Sequence, residues 1–291
     1  MRALIRGTEI YFDIEGSALV PDGPAMRERP VAFVIHGGPG GDHSSFKPAF
    51  SPLALRMQLV YFDHRGNGRS AKGDPARYTL DENVEDMEAL RDHLGVGPIV
   101  SIGTSYGGMV AMAHAARHPA SVSHLILVVT ASHAGFNARA RQIIAERGTP
   151  EQKAVCDQLW AGQLDTIDKL QHYYEVMGPL YSHKYDPGAD KVSRERSVRL
   201  PEPLNRAFAP GGFLQSYDLR PELGRITAPT LIIAGRHDWI CPPEFSEEIH
   251  RLIPGSELRI FEASSHSVRG DETQAFLDAV AGFVVYKRRL R

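Results

Sequence analysis

Apolar residues occur in two patterns along the chain: short continuous runs, and longer stretches in which they repeat every three or four positions. Runs that are apolar on both faces are typical of parallel strands covered by helices. The repeating stretches predict amphipathic helices, such as residues 81–94 with Gly95 as a stop. Because strands and helices alternate, the pattern predicts an α/β fold. The predicted strands are Val31–Ile35, Leu59–Phe62, Ile99–Ile102, Leu125–Val129, Leu231–Ile233 and Leu258–Phe261.

Two regions depart from this alternation. The opening segment, Ala3–Ile14 with Gly7 as a turn, predicts an antiparallel hairpin at the edge of the sheet. From residue 131 to residue 225 the pattern is helical and rich in aromatic residues. Loops of that length without secondary structure are rare in compact domains, so this stretch predicts an inserted helical cap. We therefore expect an α/β domain of residues 1–130 and 226–291, interrupted by a cap of residues 131–225.

Composition and charge narrow the possible classes of protein. An apolar fraction of 42% and a charged fraction of 23% indicate a folded globular chain. The net charge of -2, with basic residues spread along the chain, argues against nucleic acid as a partner. The two cysteines, Cys156 and Cys241, are too few for a disulfide framework or a zinc site. No run approaches the ~18 apolar residues of a membrane span or forms a signal peptide, so we expect a cytoplasmic protein without a membrane partner.

A candidate nucleophile lies between a predicted strand and a predicted helix. The sequence GTSYGG at residues 103–108 follows the strand Ile99–Ile102 and precedes the helical pattern of residues 109–117. Glycines two residues before and after Ser105 permit the strained turn that exposes a nucleophilic serine above a sheet. The alternative is an ordinary glycine-rich turn between a strand and a helix. The context favours Ser105 as the nucleophile.

A serine hydroxyl needs a base to take its proton, and that base needs an acid to orient it. Asp238 and His266 each follow a predicted strand near the end of the chain, in the order acid then histidine. We predict Asp238 as the acid and His266 as the base. The alternative for Asp238 is a cap of the helix that begins near Pro243. Of the 13 histidines, His237 is the main competitor, but its position beside Asp238 leaves the chain order unfulfilled.

The glycine-rich loop (residues 36–41, HGGPGG) follows the strand Val31–Ile35 and predicts an oxyanion hole. We expect one donor to be the backbone N–H of Tyr106 and the other that of Gly38, or failing that Gly37. A phosphate cradle is the alternative, but no Gly-Lys-Ser/Thr follows the loop. The sequence contains no dinucleotide-binding motif, and we predict no cofactor and no metal.

Several of these motifs together resemble one branch of a known superfamily. HGGPG at residues 36–40, DHRGNGRS at 63–70 and GTSYGG at 103–108, with Gly235–Asp238 and His266, resemble the proline iminopeptidase branch of the α/β-hydrolases. The resemblance implies a mostly parallel central sheet flanked by helices, and an aminopeptidase activity that removes an N-terminal residue, often proline. It also implies that Asp63 and Arg65 support the glycine-rich loop and take no part in catalysis.

The chain departs from this branch at one position. The family's peptidases hold the substrate ammonium with carboxylates, one of them typically beside the catalytic aspartate, where this chain has Trp239. Glu175 and Glu202 in the cap are candidate replacements for that carboxylate, and the alternative is that both are solvated helix charges. All three residues are therefore candidate substrate-binding residues.

The sequence predicts a cofactor-independent serine hydrolase that forms an acyl-enzyme with a small molecule or short peptide. The first prediction for its substrate is a peptide or amide with an exposed N-terminal residue. An esterase or lactonase that uses the aromatic cap as an acyl pocket is the first alternative, and a binding protein without catalysis is the second. The oligomeric state is not predicted by the sequence.

Overall fold

An eight-stranded sheet lies at the centre of the computed structural model, which describes residues 1–288. Residues 289–291, the end of the predicted α/β domain, lie outside the described residues. The strands are β1 (Arg2–Ile5), β2 (Thr8–Glu15), β3 (Leu19–Asp22), β4 (Ala25–Glu28), β5 (Val31–Ile35), β6 (Gln58–Phe62), β7 (Ile99–Thr104), β8 (Val122–Val128), β9 (Thr230–Gly235) and β10 (Glu257–Phe261). Their order in the sheet is β1-β2-β6-β5-β7-β8-β9-β10, with β3 and β4 forming a separate hairpin.

The direction of the strands confirms the predicted fold class. From β6 to β10 every neighbouring pair in the sheet is parallel, while β1 and β2 form the predicted antiparallel hairpin and β2 runs antiparallel to β6. All six predicted strands belong to this sheet. The hairpin of β3 and β4 was not predicted, because most of its residues are exposed and it therefore lacks an apolar alternation.

Helices cover both faces of the sheet. The helices are α1 (Lys47–Phe50), α2 (Leu80–His93), α3 (Tyr106–Arg117), α4 (Gly135–Arg147), α5 (Pro150–Trp160), α6 (Ile167–Tyr181), α7 (Pro187–Arg196), α8 (Pro201–Phe208), α9 (Arg220–Leu223), α10 (Pro243–Leu252), α11 (Val268–Asp271) and α12 (Thr273–Arg288). Alternate residues of β5 enter opposite cores: Phe33 and Ile35 pack with α2, α3 and α10, and Ala32 and Val34 pack with α12. Burial on both faces explains the continuous apolar runs in the sequence. In the described part of the chain, no helix is long and apolar enough to cross a bilayer.

The stretch between β8 and β9 is helical, as the sequence predicts. Helices α4 to α9 lie there, and a third apolar core joins α4, α5, α6 and α8. Thr149 and Thr166 cap α5 and α6 through their side-chain oxygens. Trp239, on the loop after β9, belongs to the same core. A helical insert is therefore present, and the domain bounds of 1–130, 131–225 and 226–291 stay a prediction.

Candidate active site

Ser105 occupies a strained turn between β7 and α3. Its φ of 56° and ψ of -123° lie outside the regions that residues with a side chain normally adopt. The Ser105 N–H donates to the Val128 carbonyl at 2.9 Å, and the Gly108 N–H and the Thr130 hydroxyl both donate to the Ser105 carbonyl at 2.8 Å. Strain of this kind costs about 1–3 kcal/mol and persists only where the surroundings fix it, often at functional sites.

The glycines around Ser105 are required by close packing of the backbone. A Cβ at Gly107 would lie 2.2 Å from the Ile35 carbonyl oxygen, and one at Gly103 would lie 2.3 Å from the Gly107 carbonyl oxygen. The first turn of α3 therefore lies directly against β5 and β7. The spacing of the glycines serves this approach as well as the sharp turn that the sequence predicts.

His266 and Asp238 form a buried hydrogen-bonded pair. Nδ1 of His266 lies 2.7 Å from Oδ2 of Asp238, and the aspartate side chain is fully buried. The other carboxylate oxygen accepts the N–H groups of Ile240 at 2.9 Å and Cys241 at 3.1 Å, which fix its orientation. Because an ionised carboxylate can only accept, His266 donates from Nδ1 and keeps Nε2 free to act as a base.

The pair forms because the loops after β9 and β10 are joined through their backbones. These strands are parallel neighbours, so their carboxyl ends lie side by side. The N–H of His237 donates to the Ser264 carbonyl at 2.9 Å, and a Cβ at Gly235 would lie 2.0 Å from the Ser265 carbonyl oxygen. Only glycine permits this contact, which brings the segment carrying Asp238 against the segment carrying His266.

His237 lies apart from this pair. Its side chain is exposed and stacks on His183 of the insert, with 4.4 Å between the ring centroids and 7° between the planes. It does not line the cavity described below. Its position offers no route to the Ser105 hydroxyl.

The glycine-rich loop lies against Ser105. A Cβ at Gly37 would lie 3.1 Å from the Ser105 Cβ. Nδ1 of His36 donates to the Gly37 carbonyl at 2.7 Å, and its Nε2 accepts the His64 N–H at 3.1 Å, which holds the start of the loop. Burial lowers the pKa of His36 despite nearby carboxylates, so the ring is neutral. Tyr106 is the first residue of α3, where a backbone N–H has no partner within the helix.

Asp63 and Arg65 are buried beneath this loop and do not line the cavity. Asp63 accepts from Nδ1 of His43 at 2.7 Å, and Arg65 makes a two-pronged contact with Asp86 at 2.6 and 2.5 Å. Burial alone would raise the pKa of Asp63, but the hydrogen bond from His43 and the backbone N–H donated by Arg69 hold it below its usual value. These positions fit the supporting role that the resemblance implies.

A cavity of about 450 Å³ brings the predicted residues together. Ser105, His266, Tyr106, Gly37 and Gly38 all line it. Much of the remaining wall is aromatic and comes from the insert, including Phe136, Trp160, Tyr173, Tyr174, Tyr181 and Phe208.

A family model described as the alpha/beta hydrolase fold matches residues 30–272 of this chain. The chain belongs to the alpha/beta hydrolase fold family. The proline iminopeptidase PfmaB of Pestalotiopsis fici is 32% identical over 265 residues, which cover 89% of this chain and 92% of the relative. The resemblance to the proline iminopeptidase branch is thereby confirmed.

The same hydrolase fold occurs in solved structures of proteins that are named as different kinds of hydrolase. A proline iminopeptidase of Mycobacterium smegmatis superposes with a TM-score of 0.78 at 21% identity, covering 98% of this chain and 97% of the other. An esterase of Exiguobacterium antarcticum gives a TM-score of 0.75 at 22% identity, covering 97% and 98%. At these identities the likeness establishes the fold and leaves the substrate open.

The two cap glutamates of this hydrolase-fold protein lie away from the cavity. The Glu175 side chain is 55% exposed and pairs with Arg194 at 2.6 Å. Glu202 is exposed in the first turn of α8. Neither lines the cavity, so the structure does not bring these candidate substrate-binding residues to Ser105. Trp239 does line it, is only 3% exposed, and packs its ring edge-on to that of Tyr181 with 5.7 Å between centroids.

Asp271 ties the insert to the loop that carries His266, a role that the sequence analysis missed. Its carboxylate accepts the Ser265 N–H at 2.9 Å and, from the insert, the Ser182 hydroxyl at 2.5 Å, the His183 N–H at 3.0 Å and the Lys184 N–H at 3.1 Å. In the sequence this residue is one of two adjacent acids shortly after His266. Its partners in the insert lie about 90 residues away in the chain, beyond the reach of any local pattern.

Replacing Asp271 with Ala is expected to lower the free energy of unfolding by about 3 kcal/mol, because it leaves the buried Ser265 N–H and three part-buried donors of the insert unpaired. Urea unfolding measures this loss. Trypsin cleavage after Lys184 should also become faster, since the segment loses its attachment. Glu272→Ala is the matched control, because the Glu272 carboxylate accepts from Ala263 and Ser264 of the β10 loop and, among the described residues, from no part of the insert. Equal cleavage rates in the two variants would contradict this role for Asp271.

Proposed function

We propose that this protein is a serine hydrolase that works through an acyl-enzyme. The observation that carries the proposal is the convergence of three features on one cavity: the strained Ser105, the Asp238-oriented His266 and the glycine-rich loop. This combination of nucleophile, oriented base and oxyanion donors is the arrangement required for acyl transfer.

In the proposed reaction, Nε2 of His266 takes the proton of the Ser105 hydroxyl as Oγ attacks the substrate carbonyl carbon. The N–H groups of Tyr106 and Gly38 bind the oxyanion that forms, with Gly37 as the alternative to Gly38. His266 then protonates the leaving alcohol or amine, which departs and leaves an ester on Ser105. Water, deprotonated by His266, attacks this ester and releases the acid. Asp238 stabilises the imidazolium in both halves of the cycle.

The names of the relatives support an aminopeptidase, whereas the cavity wall supports a substrate without a free ammonium. A buried ammonium needs an unpaired carboxylate. Among the carboxylates that line the cavity, Asp42 pairs with Arg69 at 2.5 Å, Asp190 pairs with Arg194 at 2.9 Å, and Asp186 is exposed and caps α7. The geometry therefore best supports hydrolysis of a small ester, lactone or blocked amide.

A comparison of three chromogenic substrates tests this choice. We expect the 4-nitroanilide of proline to be cleaved no faster than its N-acetyl form, and a 4-nitrophenyl acyl ester to be cleaved faster than both. The physical reason is that burying an unpaired ammonium costs several kcal/mol. The measurement is kcat/KM for each substrate, with active sites counted by a fluorophosphonate probe.

An aminopeptidase would give a different ranking of the three substrates. If the free prolyl substrate were cleaved ~10²-fold faster than the acetylated one, an ammonium site would exist and the ester proposal would be wrong. Failure of the fluorophosphonate to label Ser105, with no turnover of any substrate, would favour the binding protein without catalysis.

A further inference from the structure

Arg199 is held at the cavity wall by the residues on either side of it. The Val198 N–H donates to Asp42 at 3.1 Å, and the Leu200 N–H donates to the Gly40 carbonyl at 2.8 Å. These two hydrogen bonds attach this segment of the insert to the glycine-rich loop and to Asp42, the residue that follows the loop. The guanidinium of Arg199 lies over the Tyr174 ring, 3.8 Å from the centroid, and its buried Nη1 has no hydrogen-bond partner among the atoms that the structure describes.

Arg269 is a second guanidinium in the same wall. It lies three residues after His266, in α11, and its side chain lies over the Phe46 ring at 4.7 Å. Burial lowers the pKa of Arg269 to about 10; Asp271 acts in the opposite direction, and the charge of Arg199 contributes a smaller lowering. Both guanidinium residues border the same cavity.

Neither guanidinium has a close carboxylate among the described residues: none lies within 4.0 Å of a guanidinium nitrogen of Arg199 or Arg269, although Asp271 attracts Arg269 from a greater distance. By contrast, Asp42, the buried carboxylate of the wall, pairs with Arg69 at 2.5 Å. The cavity also contains a buried donor without a partner, the indole Nε1–H of Trp239. Two guanidinium groups in this wall therefore lack a paired carboxylate, and one indole N–H lacks an acceptor, among the described residues. Leaving such donors without a partner is costly unless a ligand pairs with them.

We propose that the cavity binds a carboxylate carried by the substrate, with Arg199 and Arg269 as its ligands and Trp239 as a further donor. The inference rests on the proposed hydrolase function and names its substrate class: an ester, lactone or amide with a carboxylate in addition to the scissile carbonyl. A carboxylate accepts two parallel hydrogen bonds from a guanidinium, which gives orientation as well as affinity. Exposed Lys184 at the wall adds positive charge that attracts an anionic substrate.

The test compares two esters that differ only in charge: the 4-nitrophenyl monoester of glutaric acid, and the same compound with its free carboxylate methylated. After subtraction of the uncatalysed rates, kcat/KM should be at least ~30-fold higher for the anionic ester. Arg199→Gln and Arg269→Gln should each lower this preference by at least ~10-fold, because each removes a charged donor. Arg199→Lys should restore part of it.

Arg141→Gln is the matched control. Arg141 also lies over a cavity aromatic residue, Trp160, at 4.3 Å, but it is exposed and does not line the cavity. Its loss should leave the preference at the parent's value. Fluorophosphonate titration of Ser105 normalises every variant to its folded, competent fraction, so misfolding cannot imitate a loss of preference.

Two results would overturn the inference. Equal kcat/KM for the two esters in a preparation that labels fully would exclude a carboxylate site while leaving the hydrolase function intact. A preference that survives both glutamine variants would place the anion elsewhere. Absence of labelling and of turnover in the parent would instead contradict the proposed function itself.

Discussion

Replacing Ser105 with Ala is expected to lower kcat at least ~10³-fold on any substrate that the protein turns over. The change removes the nucleophile and one oxygen atom, and the hydrogen bonds that hold the turn involve only the Ser105 backbone. The free energy of unfolding should therefore change little, because alanine tolerates this φ no better than serine and only one oxygen atom is lost. Steady-state kinetics and urea unfolding of the same preparation measure both quantities.

A second serine provides the control for this experiment. Ser45 lines the same cavity, so Ser45→Ala also removes a hydroxyl from its wall. We expect Ser45→Ala to keep kcat within an order of magnitude of the parent and to keep fluorophosphonate labelling, which Ser105→Ala should abolish. Parent-like activity in pure Ser105→Ala would refute the assignment of the nucleophile.

Replacing His266 with Gln is expected to lower kcat by at least ~10³-fold, whereas the same change at His237 should leave it within about threefold. Glutamine can occupy the space of His266 and donate to Asp238, but it cannot take the proton of Ser105. Asp238→Asn should also be severe but milder, because the imidazole is still present and only its orientation and charge stabilisation are lost. Pre-steady-state release of 4-nitrophenol reports the acylation step for each variant.

His237 is a stringent control because it adjoins Asp238 and is exposed. Its replacement removes the stack on His183, so the free energy of unfolding should be measured in parallel. If His237→Gln were as damaging to kcat as His266→Gln at unchanged stability, the base would have been assigned to the wrong histidine.

The geometry of the proposed catalytic residues could be predicted because it follows from local patterns and one topological rule. Strands buried on both faces give continuous apolar runs, so β5, β7 and β9 were recognisable in the sequence. Residues just after parallel strands meet at one edge of the sheet. This rule was sufficient to pair Asp238 with His266, whose hydrogen bond the structure shows.

The wall of the cavity could not be predicted in the same way. Glu175 and Glu202 were chosen from their charge and their position in the insert, and helical periodicity did not reveal that their side chains face solvent. Arg199 was not predicted, because helical periodicity likewise did not reveal that it lines the cavity. Its place is set by hydrogen bonds to Gly40 and Asp42, more than 150 residues earlier in the chain, and no local pattern carries such information.

The position of the insert between β8 and β9 has an evolutionary consequence. The proposed catalytic residues lie on loops of the sheet, while most of the aromatic wall and Arg199 belong to a segment with its own apolar core. Mutations in that segment can therefore change substrate specificity without altering the proposed catalytic residues, which are under separate selection. Relatives that keep the sheet can therefore diverge in their substrates. Directed evolution of new specificities in this protein should begin with libraries confined to residues 131–225.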